Sequence, residues 1–374
     1  MNQRIYFLDN LRTFMVFLVV VIHAGLVYEL VLDGFWIVSD PAKNDFIGLV
    51  RLVLDVFVMF TIFFISGFFM PNSVQRKSPV EFLISKFKRI LLPWLIAVLT
   101  LIPIYKMIFL FSREMPQEEW FSYFHWFNKT GVSPELFSDN PVQNWLWFLP
   151  VLFLFQLAYL GLSKIKINLN VSFKMGVILT IILSLVYSMT ISEMDLTGWH
   201  HSLLLHFQRE RFLIYFFVFL MGALAHEQNV FAFENRNKKQ VIILNVVLSF
   251  ALTIYIVTAL NLFFNIIDPE REFYIVSKFV DRVTFYSSLI LSMLSFLYVL
   301  VDFFRFNFNK TNRLMTEMNR NSYYVYIIHV IVIGIFALGL LHVTLPVFVK
   351  FIILSILSFI GSHAIVFGCK KMLK

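Results

Sequence analysis

The chain has 374 residues, of which 59% are hydrophobic and only 14% charged, and its mean hydropathy is +0.78. A water-soluble domain is nearer half apolar and a quarter charged, so this composition excludes one and indicates a polytopic membrane protein. The net charge of +8 fits basic cytosolic loops rather than nucleic-acid binding, and the single Cys369 excludes an intrachain disulfide and a cysteine metal cluster.

Apolar runs long enough to cross a bilayer recur along the whole chain. They predict an all-α membrane helix bundle of about ten spans, at roughly 11–31, 48–70, 90–110, 146–162, 174–192, 212–227, 241–264, 281–301, 322–342 and 345–367. Residues 1–374 read as a single membrane domain. The first run is too long for a cleavable signal, and no small-residue cleavage site follows it.

Orientation follows from the basic residues. With the N-terminus in the cytosol, the inner segments carry 20 of the 31 Lys and Arg, among them Arg4, Arg12, Arg76, Lys77, Lys86, Lys88, Arg89, Arg236, Arg313 and Lys370. The outer segments carry most of the acids, including Glu114, Glu118, Glu135, Asp268 and Glu272. Every inner loop is then basic, which requires an even number of spans and both termini in the cytosol. The longest outer segment, about 111–145, contains EEWFSYFHWF. Trp120, Tyr123 and Phe127 share a helical face there, either as an interfacial helix on the membrane or as an aromatic platform for a sugar ring.

His23 is the first candidate for chemistry. It lies about 18 Å of helix beyond Leu11, slightly past the middle of a hydrocarbon core about 30 Å thick. An ionisable group at that depth is expensive and marks function by default. Asp9, about 21 Å of helix away from His23, cannot orient the ring; it is expected to cap the helix start and to pair with Arg12 one turn on. Depth matching favours Asp55 on the second span as the partner of His23, where a carboxylate would fix the tautomer of a general base. The competing reading pairs Asp55 with Arg51, four residues earlier on the same helix.

Two further signals follow. In SKFKRILLPW, Lys86 and Arg89 share a face at the cytosolic mouth of the third span, suited to anionic lipid or to a phosphorylated ligand. In NSYYVYIIHVIV, Tyr326 and His329 share a face, with His329 about 10 Å from the inner edge of its span and so not level with His23. His200, His201 and His206 lack the i, i+4 spacing of a helical zinc site and read as loop. No metal site is expected.

Taken together, these segments resemble the integral-membrane acyltransferase family 3 over nearly the whole chain. The residues that carry the resemblance are Leu8-Asp9-Asn10-Leu11-Arg12 with His23 eleven positions on, FFISGFF at 63–69, Lys86 and Arg89 followed by ILLPW, WLWFLPVLF at 145–153 with Trp147, and SYYVYIIH at 322–329. The opening and the FFISGFF region are most similar to the glucan-biosynthesis C-type branch. Two positions depart from the pattern: Lys86 stands where members often carry Arg, and Val58 where a basic residue often precedes FFISG.

The resemblance implies a membrane O-acyltransferase of the cell membrane that moves an acetyl or succinyl-type group from cytosolic acyl-coenzyme A to a hydroxyl of an envelope carbohydrate. Acyl-coenzyme A is a donor substrate there, and no cofactor is permanently bound. His23 would be the general base, with Asp55 and Tyr326 assisting in catalysis. Arg12, Lys86 and Arg89 would hold the donor, and Asp9, Ser322, His329 and Trp147 the substrate. Tyr326, Ser322 or Arg12 could supply the oxyanion donor. The reading from another class is a transporter of an organic anion or glycan, with His23 as a proton relay.

Overall fold

The computed structural model describes residues 5–30, 34–118, 143–165, 171–202, 204–232, 236–268 and 270–372. Among the described residues, twelve α-helices run in chain order: α1 Tyr6–Gly25, α2 Asp45–Phe68, α3 Met70–Gln75, α4 Pro79–Lys86, α5 Leu92–Phe111, α6 Phe148–Lys164, α7 Phe173–Glu193, α8 Phe212–Glu227, α9 Lys238–Ile267, α10 Lys278–Asn307, α11 Arg313–Leu340 and α12 Val347–Met372. Among the described residues, nine helical segments are long and apolar enough to cross a membrane. α8 corresponds to the sequence-predicted span at 212–227, but its 16 residues, about 24 Å of helix, fall short of that length. The platform residues Trp120, Tyr123 and Phe127 lie outside the described residues.

Helix ends follow the local chemistry. The Asn44 side chain caps α2 by accepting from Phe46 N, and Ser78 and Glu81 form a capping box ahead of Pro79 in α4. Between α4 and α5 the helix loosens into one π turn, Phe87–Leu91. Its cause is Pro93, which has no N–H for the Arg89 carbonyl four residues back; the wider turn absorbs the missing bond. Lys86, Lys88 and Arg89 therefore sit at a bulge rather than on a regular helix face.

The first span is shorter than its apolar run. α1 ends at Gly25, where Tyr28 N turns back to the Gly25 carbonyl at 2.9 Å. Asp9 is inside its first turn and caps nothing; the N-cap position is Ile5, without a side-chain bond. The following segment folds inward: Tyr28, Glu29, Trp36, Ile37 and Val38 are all buried.

Two parallel helix pairs form the centre. α1 runs beside α11, and a polar seam joins them at the basic side: Asn319 donates to Asn10, and the Thr13 hydroxyl donates to Asn319. Asn10 also donates to the carbonyls of Phe308 and Lys310, tying α1 to the α10–α11 connection. α2 packs on α8 so closely that a Cβ on Gly67 would meet the Phe219 carbonyl oxygen at 1.9 Å, and one on Gly222 the Phe64 carbonyl oxygen at 2.2 Å. Glycine lets two membrane helices touch backbone to backbone, and this explains the Gly of FFISGFF. α7, α9 and α12 are peripheral, with long exposed apolar faces that suit lipid.

Candidate active site

α1 brings His23 to the end of its buried stripe, and α11 meets it there with His329. The two rings lie 4.9 Å apart between centroids, and His329 Nε2 is 3.1 Å from His23 Nδ1. The expectation that they differ in depth is wrong, because a span edge is not a helix start. His23 lies 17 residues beyond Tyr6, and His329 lies 16 beyond Arg313. Both therefore stand roughly 25 Å along helices that start on the same side.

Two backbone carbonyls fix the protons, which follow from hydrogen-bond partners. His329 Nδ1 is 2.6 Å from the Tyr326 carbonyl oxygen, so it carries a hydrogen and donates it. His329 Nε2 then holds a lone pair. His23 Nδ1 lies 2.8 Å from the Val19 carbonyl oxygen and faces that lone pair, so it too carries its hydrogen. These bonds leave the basic lone pair of His23 on Nε2. His23 is partly exposed, whereas His329 is fully buried.

An aromatic wall surrounds the pair. Trp36, from the folded-in segment, stacks on His23 at 5.4 Å and 22°. Tyr105 of α5 meets Trp36 edge-on at 6.0 Å and lies 5.8 Å from Trp145. Trp145 sits on a short 3-10 turn, Asn144–Trp147, where Asn144 takes the left-handed backbone that Asn tolerates (φ 43°). Its indole donates to the Ile327 carbonyl at 2.9 Å, and the Tyr326 hydroxyl donates to the Trp145 carbonyl. Trp36 is held in turn: Arg113 donates to the Gly34 and Trp36 carbonyls, and Lys350 pairs with Asp40 at 2.8 Å, both buried.

Other sequence-predicted residues are corrected. Asp55 does not orient His23: its carboxylate takes Arg211 Nη1 at 2.5 Å, and Arg211 also donates to the Asp55 backbone carbonyl. Nor does it pair with Arg51, which binds the fully buried Glu29. The cause lies in the α2–α8 register. Gly222 sits against Phe64 and Phe68 eleven residues below Arg211, about one residue from Ser66, which is eleven below Asp55. Asp55 remains close enough to His23 to act on it electrostatically. The Tyr326 hydroxyl donates to the Trp145 carbonyl, and the Ser322 hydroxyl donates to the Asn319 carbonyl about 10 Å of helix before His329, so neither hydroxyl hydrogen is directed at His23.

The basic side holds Arg12, Lys86 and Arg89. Arg12 pairs with Asp9 at 3.2 Å, donates to the Asn319 carbonyl and leaves its side chain 37% exposed. Lys86 lies over the Phe82 ring at 5.2 Å with Lys77 and Arg89 nearby, and Arg89 is exposed. On the opposite side the three histidines read as loop form a hairpin instead, β1 Trp199–His201 paired antiparallel with β2 His206–Gln208. Burial lowers the His201 imidazole to about 4 and takes His206 well below its ordinary value, helped by His200 and Arg209 around His201. Trp199 of this hairpin reaches Trp147 at 5.5 Å.

Sequence reasoning missed Arg211, Trp36, Tyr105 and Trp145 as parts of the site. Arg211 left a signal, the Arg209-Glu210-Arg211 triplet at the mouth of an apolar run. Trp36 left none, because a loop has no periodicity.

No curated protein and no solved structure matches this chain. The family comparison is positive and covers residues 5–367 with the acyltransferase domain of family 3. That match takes in α1 with His23, the π turn, the Trp145 segment and His329, and the chain belongs to the acyltransferase family 3.

Proposed function

We propose that this membrane acyltransferase takes an acyl group of acetyl or succinyl type from cytosolic acyl-coenzyme A and gives it to a hydroxyl of a cell-envelope carbohydrate, in the cell membrane. The observation that carries the reading is the His23–His329 pair, in which His329 Nδ1 donates to the Tyr326 carbonyl and the one His23 Nδ1 hydrogen is shared between the Val19 carbonyl and His329 Nε2. His23 Nε2 accepts the proton of the acceptor hydroxyl as its oxygen bonds to the thioester carbonyl carbon. Collapse of the tetrahedral adduct breaks the C–S bond, and the coenzyme A thiolate leaves with the proton returned from His23. His329, accepting from His23 Nδ1, supports the imidazolium formed between these steps. It stands where a carboxylate stands in a catalytic triad.

Charge supports the direction of transfer. Arg12, Lys86 and Arg89 lie on the basic side, which the loop bias assigns to the cytosol, and suit nucleotide phosphates. Arg12 precedes His23 by eleven residues, about 16 Å of helix, a distance for a long thin pantetheine arm to cover. The family membership favours acyl transfer over the transporter reading.

The test is incubation of purified protein with labelled acetyl- or succinyl-coenzyme A and envelope glycan extract. Transfer by the wild type and its loss in His23→Ala support the reading. Normal transfer by that variant overturns it.

A further inference from the structure

The proposed transfer needs a donor for the oxygen that turns negative when the acceptor attacks, and the sequence-predicted candidates do not reach it. Arg12 stands about 16 Å of helix from His23, and the Ser322 and Tyr326 hydroxyls give their hydrogens to backbone carbonyls. Several cations around the histidine pair are committed as well. Arg211 donates to Asp55 and Tyr255, Lys350 to Asp40, and Arg113 to the Gly34 and Trp36 carbonyls.

Arg51 differs. Its Nε donates to the Glu29 carboxylate, and its terminal nitrogens Nη1 and Nη2 have no hydrogen-bond partner among the described residues. Glu29 is fully buried, whereas the Arg51 side chain keeps 26% of its surface exposed. A guanidinium carries five N–H donors in one plane, so anchoring Nε fixes the plane and leaves the terminal donors available. Depth places them by the base. α1 and α2 run in opposite directions and meet at Gly25, where a Cβ would lie 3.2 Å from Ile47. His23 is two residues from Gly25 and Arg51 four from Ile47, both towards the basic side, so their backbones differ in depth by about 3 Å. The Arg51 side chain leans back along α2 to Glu29, whose Oε2 is 3.8 Å from the Cβ position of Gly48, one turn earlier. The guanidinium therefore stands near the level of His23, and it is close enough to act on that ring electrostatically.

The charge balance decides what those donors suit. Glu29 already matches the charge of Arg51, so a permanent carboxylate on the acyl group meets no surplus cation there. An oxyanion is different, because it forms together with the imidazolium of His23. Oriented N–H donors beside that pair stabilise negative charge where it develops and need no rearrangement at that moment. We infer that Arg51 is the oxyanion donor of the acyl transfer, held in place by Glu29, an inference that rests on the proposed attack of a hydroxyl on the thioester carbonyl. As the acceptor oxygen bonds to the carbonyl carbon, the π electron pair moves onto the carbonyl oxygen, which accepts from the Arg51 terminal nitrogens. The pair returns to the carbonyl as the C–S bond breaks.

The experiment measures initial rates in lipid nanodiscs with labelled acetyl- and succinyl-coenzyme A and envelope glycan extract. It compares the wild type with Arg51→Lys, which keeps the charge and loses the planar fork, and with Arg51→Met combined with Glu29→Gln, which leaves no buried carboxylate unpaired. The thermal shift produced by coenzyme A, retained in both, shows that they are folded. In the double variant kcat is expected to fall by about 10²- to 10³-fold, and in Arg51→Lys by about tenfold or more, with KM for the donor near the wild-type value. A kcat near the wild-type value in the double variant overturns the inference. So does a raised donor KM with kcat kept, or a loss confined to succinyl-coenzyme A, since Arg51 would then hold the acyl group before reaction. Absence of transfer by the wild type defeats the proposed function itself, whereas wild-type transfer with unaltered variants removes Arg51 alone.

Discussion

His329 Nε2 faces His23 Nδ1 at 3.1 Å and shares its hydrogen with the Val19 carbonyl, across two helices whose seam is otherwise tied at Asn10, Thr13 and Asn319. A neutral imidazole in this place can hold a ring and share its positive charge without adding a buried anion. Removing the base itself, in His23→Ala, is expected to lower kcat by about 10²- to 10⁴-fold. His329→Phe is expected to lower kcat by roughly tenfold or more while KM for the acyl donor stays near the wild-type value, because it removes support for the base and no donor contact. Steady-state kinetics with labelled acyl-coenzyme A separate the two parameters.

The α2–α8 crossing gives a stability prediction. A methyl on Gly67 or Gly222 would overlap backbone atoms of the facing helix, which cannot swing away as a side chain can. Gly67→Ala and Gly222→Ala are each expected to cost about 1–3 kcal/mol or more. Thermal unfolding in detergent measures the loss. Substitution at Gly339, which has open space around it, is the control and should be near neutral.

Breaking the Asp55–Arg211 pair strands a buried guanidinium. Asp55→Ala is expected to destabilise by about 3 kcal/mol, the low end for a buried pair because Asp55 itself is partly exposed. Asp55→Ala combined with Arg211→Met should be more stable than Asp55→Ala alone, since no uncompensated charge remains. Melting temperatures of the wild type and the two variants check this order.

Acid should loosen the hairpin. A histidine in the unfolded chain titrates near 6.5, whereas burial holds folded His201 near 4 and His206 well below its ordinary value. Between those values the unfolded state binds more protons, so stability rises with pH. It is complete above about 6.5 and falls as pH drops towards 4. Melting temperature followed over this window should decline, and the decline should be shallower in His201→Phe combined with His206→Phe.

On the donor side, free coenzyme A should stabilise the wild type by mass action, by about 2.7 kcal/mol at a hundred times its Kd. The thermal shift should shrink in Lys86→Ala combined with Arg89→Ala. An undiminished shift would return that element to the role of a lipid anchor.

Some of this was legible in the residues and some was not. The all-α bundle of membrane-spanning helices could be read because crossing a bilayer demands apolar length, with nine of the ten expected spans reaching that length among the described residues, and the Asp9–Arg12 pair could be read because one helix turn fixes its spacing. Lateral neighbours could not. His329 was misplaced because α11 starts at Arg313, well before the apolar run at 322, so depth counted from the apolar edge fell short. Asp55 was given to His23 because depth matching ignores rotation about the helix axis. Only the close approach of α8 at Gly67 and Gly222 delivers Arg211 to it. Gly67 stood out within FFISGFF, but its physical reason lies on a helix some 150 residues away.

The segment carrying Trp36 has a consequence for the cell as well as for the chemistry. A catalyst supplied from both faces of a bilayer is a potential hole, through which protons would run down the gradient that powers the cell. Trp36 lies flat on the reactive imidazole, with Arg113 gripping its backbone and Lys350 holding Asp40. The ring is thus stoppered by an indole, and under the proposed transfer each turnover would have to admit the acceptor past that stopper without opening a continuous file of water.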